Sequence, residues 1–191
     1  MEEERAFAHD YLVQHGVGGD DILVTIHPGA GAAVKLWPAE RYAQVADALA
    51  QEKSARVIIT GSRDELGLAW SVAAAMRSDP IVAAGRTTLG QLAALFARCH
   101  LVIGSDSGPL HLAVAVGAPT LHLYGPVDPK LFGPWSPGAE PWHRVIVSPM
   151  HCVPCNKLDY AAEELTAHPC MSYIPVEEVL QAARDLLGNK K

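Results

Sequence analysis

The stretch Leu101-Val-Ile-Gly-Ser-Asp-Ser-Gly-Pro-Leu-His-Leu-Ala113 decides the fold. It reads as an apolar run, a turn of small and polar residues, and then an amphipathic helix. Such strand–loop–helix units are where α/β proteins build ligand sites, at the carboxyl ends of their strands. Ser107 stands at the N-cap position, and the free backbone N–H groups of the helix start attract an anion. Asp106, just before the cap, is placed to accept hydrogen bonds from sugar or ribose hydroxyls.

A second turn of this kind lies earlier in the chain. The apolar run at 22–26 is followed by His27-Pro-Gly-Ala-Gly-Ala-Ala-Val-Lys35 and then by Trp37-Pro38. Gly29 and Gly31 allow the backbone to approach a ligand closely, and Lys35 is a cation placed to meet a phosphate. Two anion-binding turns in one α/β chain predict a ligand that carries a diphosphate.

Apolar runs and helical patterns alternate along the whole chain. The runs lie at 22–26, 56–60, 81–84, 101–104, 119–124 and 144–148, and the helical patterns at 2–15, 38–52, 64–77, 88–98, 107–117 and 175–187. Because the runs show no polar alternation and are separated by helices, they predict a parallel sheet covered on both faces. The right-handed crossover rule makes this a doubly wound, Rossmann-like α/β fold. Residues 125–142 and 149–172 are predicted to be long irregular connections.

Composition and charge argue against several classes of protein. The 191 residues suit one well-packed domain. A net charge of −6 without a basic block disfavours nucleic-acid binding. No apolar run reaches the roughly 18 residues of a membrane span, and the acidic start Met1-Glu-Glu-Glu-Arg5 leads into no signal core. We therefore expect a cytoplasmic protein.

Both turns also have an interpretation without a ligand. Glycines after a strand are common, and neither the GxxxxGK[ST] nor the GxGxxG spacing occurs around Gly29. The segment Ser105-Asp-Ser-Gly108 suits a plain capping turn as well as a binding loop. His111 favours binding, because it follows Ser107 by one helical turn and faces the same side.

The cysteines leave two interpretations open. Cys152, Cys155, His168 and Cys170 supply four ligands, the number found in a structural zinc site. Their spacing matches no common zinc finger, and free thiols that fix a loop against the core explain them equally well. Cys99 ends an apolar helix and is expected in the core.

Together these motifs resemble glycosyltransferase family 9, the heptosyltransferase family of lipopolysaccharide core synthesis. The matching segments follow in order along nearly the whole chain: His27-Pro-Gly-Ala30, Lys35-Leu-Trp-Pro38, Arg41-Tyr42, Thr60-Gly61 with Glu65, Ala84-Gly85 with Thr88-Leu89, 104–113, Gly117-Ala-Pro-Thr120, Tyr124-Gly-Pro-Val-Asp-Pro129, Phe132-Gly-Pro-Trp135, Cys152-Val-Pro-Cys155 and His168-Pro-Cys-Met171. At Gly31 the family often has a hydroxyl residue instead.

The resemblance implies the GT-B architecture, in which two Rossmann-like domains face each other, and this chain looks like the C-terminal, donor-binding one. Residues 1–17 would form the connector helix and residues 18–191 the nucleotide-sugar domain. ADP-heptose is the donor typical of the family. No cofactor or metal is required, because a lysine and helix-end dipoles can stabilise the departing nucleotide diphosphate.

The resemblance also implies roles for the site residues. Lys35 and the Gly29–Ala30 turn would hold the donor diphosphate. Asp106, with the backbone of Ser107 and Gly108, would contact the phosphate and the transferred sugar, and His111 would support that turn. The implied catalytic residues are Lys35 and Asp106, and the implied donor-binding residues are Gly29, Ala30, Gly31, Lys35, Ser105, Asp106, Ser107, Gly108 and His111.

One part of a family enzyme has no match here: the N-terminal domain that binds the acceptor and supplies the base. We predict the donor-binding half of an inverting transferase that moves heptose to a lipopolysaccharide core acceptor. Its partner would be an N-terminal domain in the same or a separate chain, at the inner face of the cytoplasmic membrane. Alone, the chain should bind nucleotide and transfer poorly. The alternatives are a non-enzymatic nucleotide-sugar module or inactive remnant, a nucleotide-sugar epimerase, and a zinc-stabilised interaction domain.

Overall fold

The fold is a six-stranded parallel sheet between two layers of helices, seen in a computed structural model that describes residues 2–135 and 141–188. The strands are β1 (Leu23–His27), β2 (Arg56–Ile59), β3 (Ile81–Val82), β4 (Leu101–Ser105), β5 (Thr120–Tyr124) and β6 (His143–Val147). The helices are α1 (Glu2–Gln14), α2 (Ala39–Lys53), α3 (Leu66–Ala75), α4 (Leu89–Phe96), α5 (Gly108–Ala115), α6 (Pro129–Phe132) and α7 (Val176–Gly188). The doubly wound α/β prediction is confirmed.

The strand order is β3-β2-β1-β4-β5-β6, so the winding direction reverses between β1 and β4. In sheets of this order, ligands bind outside the carboxyl ends of the strands at the point of reversal. His27 at the end of β1 pairs with Gly104 of β4. Both anion-binding turns of the sequence therefore leave the sheet at this point.

Each face of the sheet has its own apolar cluster. Alternate strand residues such as Val24 and Ile26 pack with α2, α3 and α7 on one face. Their neighbours, among them Leu23 and Val102, pack with α1, α4 and α5 on the other face. This double coverage is why the strands read as continuous apolar runs in the sequence.

The two long connections contain more regular structure than predicted. Residues 125–142 include α6, which Asp128 caps by accepting a hydrogen bond from the Lys130 backbone N–H at 2.9 Å. Residues 149–172 include a 3₁₀ turn at Ala162–Ala167. One-turn elements of this length bury no apolar stripe, so hydrophobic periodicity cannot reveal them.

Three parts of the sequence predictions lie outside the described residues. They are Met1 of the proposed connector, residues 136–140 of the first long connection, and residues 189–191 of the proposed donor domain. Most of the segment proposed as the connector forms the helix α1, which packs against α4. Among the residues that are described, no helix has the length and apolar character to cross a membrane.

Candidate functional site

Lys35 and Asp106 meet where the strand order reverses. Lys35 ends a 3₁₀ turn that follows β1, and Asp106 follows β4 directly. The Lys35 ammonium donates to the Asp106 backbone carbonyl at 2.8 Å and to its carboxylate Oδ2 at 3.0 Å. Both side chains are largely buried, at 12% and 11% exposed. The sequence predicted both residues as site residues, and the structure brings them into direct contact.

The second carboxylate oxygen of Asp106 faces two further groups. His111 Nε2 lies 3.5 Å from Oδ1, and the Tyr124 hydroxyl lies 3.4 Å from it. Tyr124 also donates to the Phe132 carbonyl at 2.5 Å. Burial, together with the nearby Asp106 carboxylate, raises the pKa of the Tyr124 phenol. Tyr124 thus stays protonated and connects Asp106 to α6.

The N-terminus of α5 opens toward the same place. Ser107 is the N-cap residue, but its side chain makes no capping hydrogen bond, which corrects the expected cap. The reason is local: Pro109 has no N–H to donate, and the Leu110 N–H bonds the Ser107 carbonyl at 3.1 Å. Ser107 Oγ is therefore buried without a partner among the described residues. The backbone N–H groups of Ser107 and Gly108 likewise have no acceptor in that part of the chain.

Ser105 differs from its predicted role as a donor-binding side chain. It is fully buried, and its hydroxyl lies 3.2 Å from the Tyr42 hydroxyl. Burial raises the pKa of Tyr42, so this phenol also remains protonated. Ser105 contributes to the packing beneath the turn instead of presenting its side chain to a ligand.

The glycine turn after β1 packs against a carboxylate. A Cβ atom on Gly29 would collide with the carboxylate end of the Glu65 side chain, so any larger residue there would displace that carboxylate. Glu65 is held by a hydrogen bond of 2.6 Å from the Ser62 backbone N–H to its Oε2. Ala30 is partly exposed, and no atom lies within 4 Å of a Cβ placed on Gly31. The turn is thus closed on the Glu65 side and open at Gly31.

Sequence reasoning assigned no role to Glu65 or to Tyr124, although both belong to the motifs quoted above. Glu65 is the N-cap residue of α3, in the loop that follows β2, and β2 is the neighbour of the strand that leads to Lys35. A carboxylate after the second strand of such a sheet is a known position for ribose recognition. That position is the signal by which the sequence could have suggested Glu65.

His27 is a buried neutral imidazole at the base of the turn. Its Nδ1 lies 3.1 Å from Thr60 Oγ1. Burial lowers the pKa of His27 to about 4, a shift that nearby Glu65 partly opposes. The imidazole is therefore uncharged in the folded protein at neutral pH.

This burial predicts a loss of stability in mild acid. Below pH 6.5 the unfolded chain binds a proton at His27 that the folded protein does not bind until about pH 4. Above pH 6.5, His27 therefore does not lower the free energy of unfolding. As the pH drops toward 4, the free energy of unfolding decreases, by about 2 kcal/mol at pH 5. Urea unfolding of the wild type and His27→Gln at pH 7 and pH 5 should show the smaller pH dependence in the variant. His9→Gln, which removes an exposed imidazole on α1, should behave as the wild type.

The four candidate zinc ligands line one cavity of about 330 Å³. Cys152 and Cys155 are exposed and Cys170 is buried, and all are free thiols. His168 packs its ring on Tyr160 at a centroid distance of 3.8 Å. Within residues 2–135 and 141–188, no three His, Cys, Asp or Glu side chains are arranged to hold a metal ion. Of the three thiols in this cavity, only Cys170 lies in the protein interior, as expected for a thiol that fixes the loop against the core.

Solved structures share this arrangement of strands and helices. A glycosyl transferase of family 9 from Veillonella parvula superposes on the whole chain with a TM-score of 0.84 and 32% sequence identity, and the chain covers 53% of it. The Escherichia coli ADP-heptose lps heptosyltransferase II gives a TM-score of 0.75 at 26% identity, with 98% of this chain and 52% of that one covered.

Sequence comparison agrees with the structural likeness. Lipopolysaccharide heptosyltransferase 3 of Escherichia coli K12 is 35% identical over 123 residues, which are 63% of this chain and 36% of the relative. The chain thus spans about a third to a half of the length of the relatives that it matches. The model of glycosyltransferase family 9 (heptosyltransferase) matches residues 1–163. On this match, which covers all six described strands and the Lys35–Asp106 site, the chain belongs to glycosyltransferase family 9, a family of enzymes.

Proposed function

We propose that this chain is the donor-binding domain of an inverting heptosyltransferase and that its ligand is ADP-heptose. The observation that carries the proposal is the Lys35–Asp106 pair at the strand reversal, beside free backbone N–H groups at the start of α5. Its relatives carry the names of lipopolysaccharide heptosyltransferases, and one neighbour is named for ADP-heptose. In this proposal residues 1–17 are the connector and residues 18–191 the donor domain.

The diphosphate would bind between the two turns. Lys35 supplies a full positive charge, and the N–H groups of Ser107 and Gly108 supply hydrogen bonds along the dipole of α5. The unpartnered Ser107 hydroxyl adds one more donor at the same point. Gly31 leaves open space on the opposite side, where a phosphate can approach the backbone.

The sugar and the ribose would each meet a carboxylate. Asp106 carries a charge that Lys35 compensates, so its oxygens can accept hydrogen bonds from sugar hydroxyls without repelling the diphosphate strongly. Glu65 is held in place over Gly29 at the end of β2, where it can accept hydrogen bonds from the ribose hydroxyls. Two carboxylates, one beside each turn, match a ligand with hydroxyls at both ends of a diphosphate.

The chemistry that these residues supply is stabilisation of the leaving group. When an acceptor hydroxyl displaces ADP from the anomeric carbon, negative charge grows on the diphosphate next to Lys35 and the α5 N-terminus. Asp106 is bonded to Lys35 and is assigned here to the hydroxyls of the donor sugar, so the proposal gives it no role as the base. The base would come from the half of the enzyme that this chain does not match, together with the lipopolysaccharide core acceptor and attachment at the cytoplasmic face of the membrane.

Calorimetric titration of the chain with ADP, AMP, UDP and GDP tests the proposal. ADP should bind, and AMP should bind at least about tenfold more weakly because it lacks the β-phosphate that Lys35 contacts. UDP and GDP should also bind more weakly if the site recognises adenine. Equal affinity for ADP and AMP would contradict a diphosphate site, and no binding at all would favour the inactive remnant.

A further inference from the structure

Strand β5 carries polar side chains on one face, where a central parallel strand is normally apolar. Leu121 and Leu123 pack into the cluster formed with α2 and α7. Thr120, His122 and Tyr124 alternate with them and so share the opposite face, the one that α5 covers. All three are fully buried. Buried polar groups in this number need partners, and the partners indicate what the face does.

The polar face of β5 runs as a chain of contacts to the candidate site. Thr120 Oγ1 lies 2.8 Å from His143 Nδ1 and 2.9 Å from His122 Nε2. The His122 ring lies 5.9 Å from the ring of His111, measured between centroids. His111 in turn faces Asp106 Oδ1 at 3.5 Å. These contacts therefore connect the edge strand β6 to the carboxylate that pairs with Lys35.

One polar atom along these contacts lacks a hydrogen-bond partner in the described structure. His122 Nδ1 is buried and has no hydrogen-bond partner among the described residues. Two rings whose centroids are 5.9 Å apart hold their nitrogens beyond direct hydrogen-bond distance. A single water that contacts both imidazoles would give His122 Nδ1 a hydrogen-bond partner.

We propose that His122 is a positioning residue that holds His111 against Asp106 through one buried water. Burial, with the nearby His111 and His143, keeps His122 uncharged, so only one of its nitrogens carries a proton. His122 Nε2–H then donates to Thr120, and Thr120 donates to His143. The water donates to Nδ1 of both His122 and His111, and His111 Nε2–H donates to Asp106. Every donor in this series of hydrogen bonds has one acceptor.

The positioning of His111 by His122 does not depend on the proposed function. Its consequence does rest on that function, because it is to keep Asp106 oriented for the donor. Fixing the His111 tautomer leaves Asp106 Oδ1 bonded and Oδ2 with Lys35. Without His122, the His111 ring would lose its second contact, and both tautomers would be populated. His122 itself is fully buried and would not touch the ligand.

Side-chain ¹⁵N NMR of the ligand-free chain at pH 8 tests the positioning directly. In the wild type, His111 and His122 should both be in the Nε2–H tautomer. In His122→Phe, which keeps the ring shape and removes the nitrogens, His111 should show a mixture of tautomers. Should that variant fail to fold, Thr120→Val tests the same point, because it removes the acceptor that fixes the His122 tautomer. An unchanged His111 tautomer in the folded variant would overturn the proposal.

His143→Gln is the matched control. It alters the far end of the chain of contacts and leaves the water between His122 and His111 in place, so the His111 tautomer should be unchanged. ADP affinity should fall about two- to tenfold in His122→Phe and stay within twofold in His143→Gln. Tautomers that respond as predicted in a chain that binds no ADP would contradict the proposed function alone, since the NMR readout needs no ligand.

Discussion

Replacing Lys35 with alanine is expected to weaken ADP binding by about 100-fold or more. The substitution removes the ammonium group that contacts both the carbonyl and the carboxylate of Asp106. It also leaves the Asp106 carboxylate largely buried without its counter-charge, where it would repel the ligand's phosphates. Calorimetric titration of the variant with ADP measures the loss, and circular dichroism confirms that the variant is folded.

Two further variants separate the causes of this loss. Lys53→Ala removes an exposed lysine at the end of α2 and should leave the ADP affinity as in the wild type. In the double variant Lys35→Ala/Asp106→Asn, the uncompensated charge is gone, so part of the affinity should return. An ADP affinity of Lys35→Ala equal to that of Lys53→Ala would show that the diphosphate binds elsewhere.

The fold was predictable because its signals are local and long. Each strand is an apolar run of the kind that a doubly covered parallel sheet requires, and the helices between them carry continuous periodicity. The crossover rule then makes this parallel sheet doubly wound. α6 escaped prediction because a four-residue helix has neither periodicity nor a buried face.

The site was predictable at the level of its turns and less so at the level of its contacts. Residues from the two turns were expected near one diphosphate, and Lys35 does lie against Asp106, 71 residues away in sequence. The side-chain partners depend on packing that no local pattern encodes. Ser105 turns toward Tyr42, and Ser107 does not cap α5, because neighbouring residues decide both orientations.

The polar residues of β5 show the same limit of prediction from sequence alone. Residues 119–124 read as an apolar run, because Leu121 and Leu123 dominate the pattern. The alternate residues Thr120, His122 and Tyr124 become informative only once α5 and the Asp106 turn are placed above them. Polar residues at every second position of a central strand therefore indicate that the strand supports a functional site.

Gly104→Ala is expected to destabilise the protein by about 3 kcal/mol or more. The added Cβ would lie 2.5 Å from the His27 backbone carbonyl and 2.5 Å from Leu110 Cδ2. The Leu110 side chain can rotate away, but the carbonyl belongs to β1, which pairs with β4 at this residue. Relief requires the two strands at the reversal to separate, and Lys35 and Asp106 would separate with them. Urea unfolding measures the loss of stability. ADP titration should show a lower apparent affinity, in proportion to the fraction of the variant that remains folded.

Gly31→Ala is the control for the loss of a glycine as such. Within the part of the chain that the structure describes, no atom lies within 4 Å of a Cβ at Gly31, so the free energy of unfolding of Gly31→Ala should stay within about 0.5 kcal/mol of the wild type. The contrast matters because both glycines belong to the sequence motifs, Gly31 in the turn after β1 and Gly104 in β4, yet of the two only Gly104 lies against a backbone atom that an added Cβ would hit. Equal stability of the two variants would mean that β1 and β4 can move apart without cost. The strand reversal would then not be the rigid platform on which the proposed diphosphate site depends.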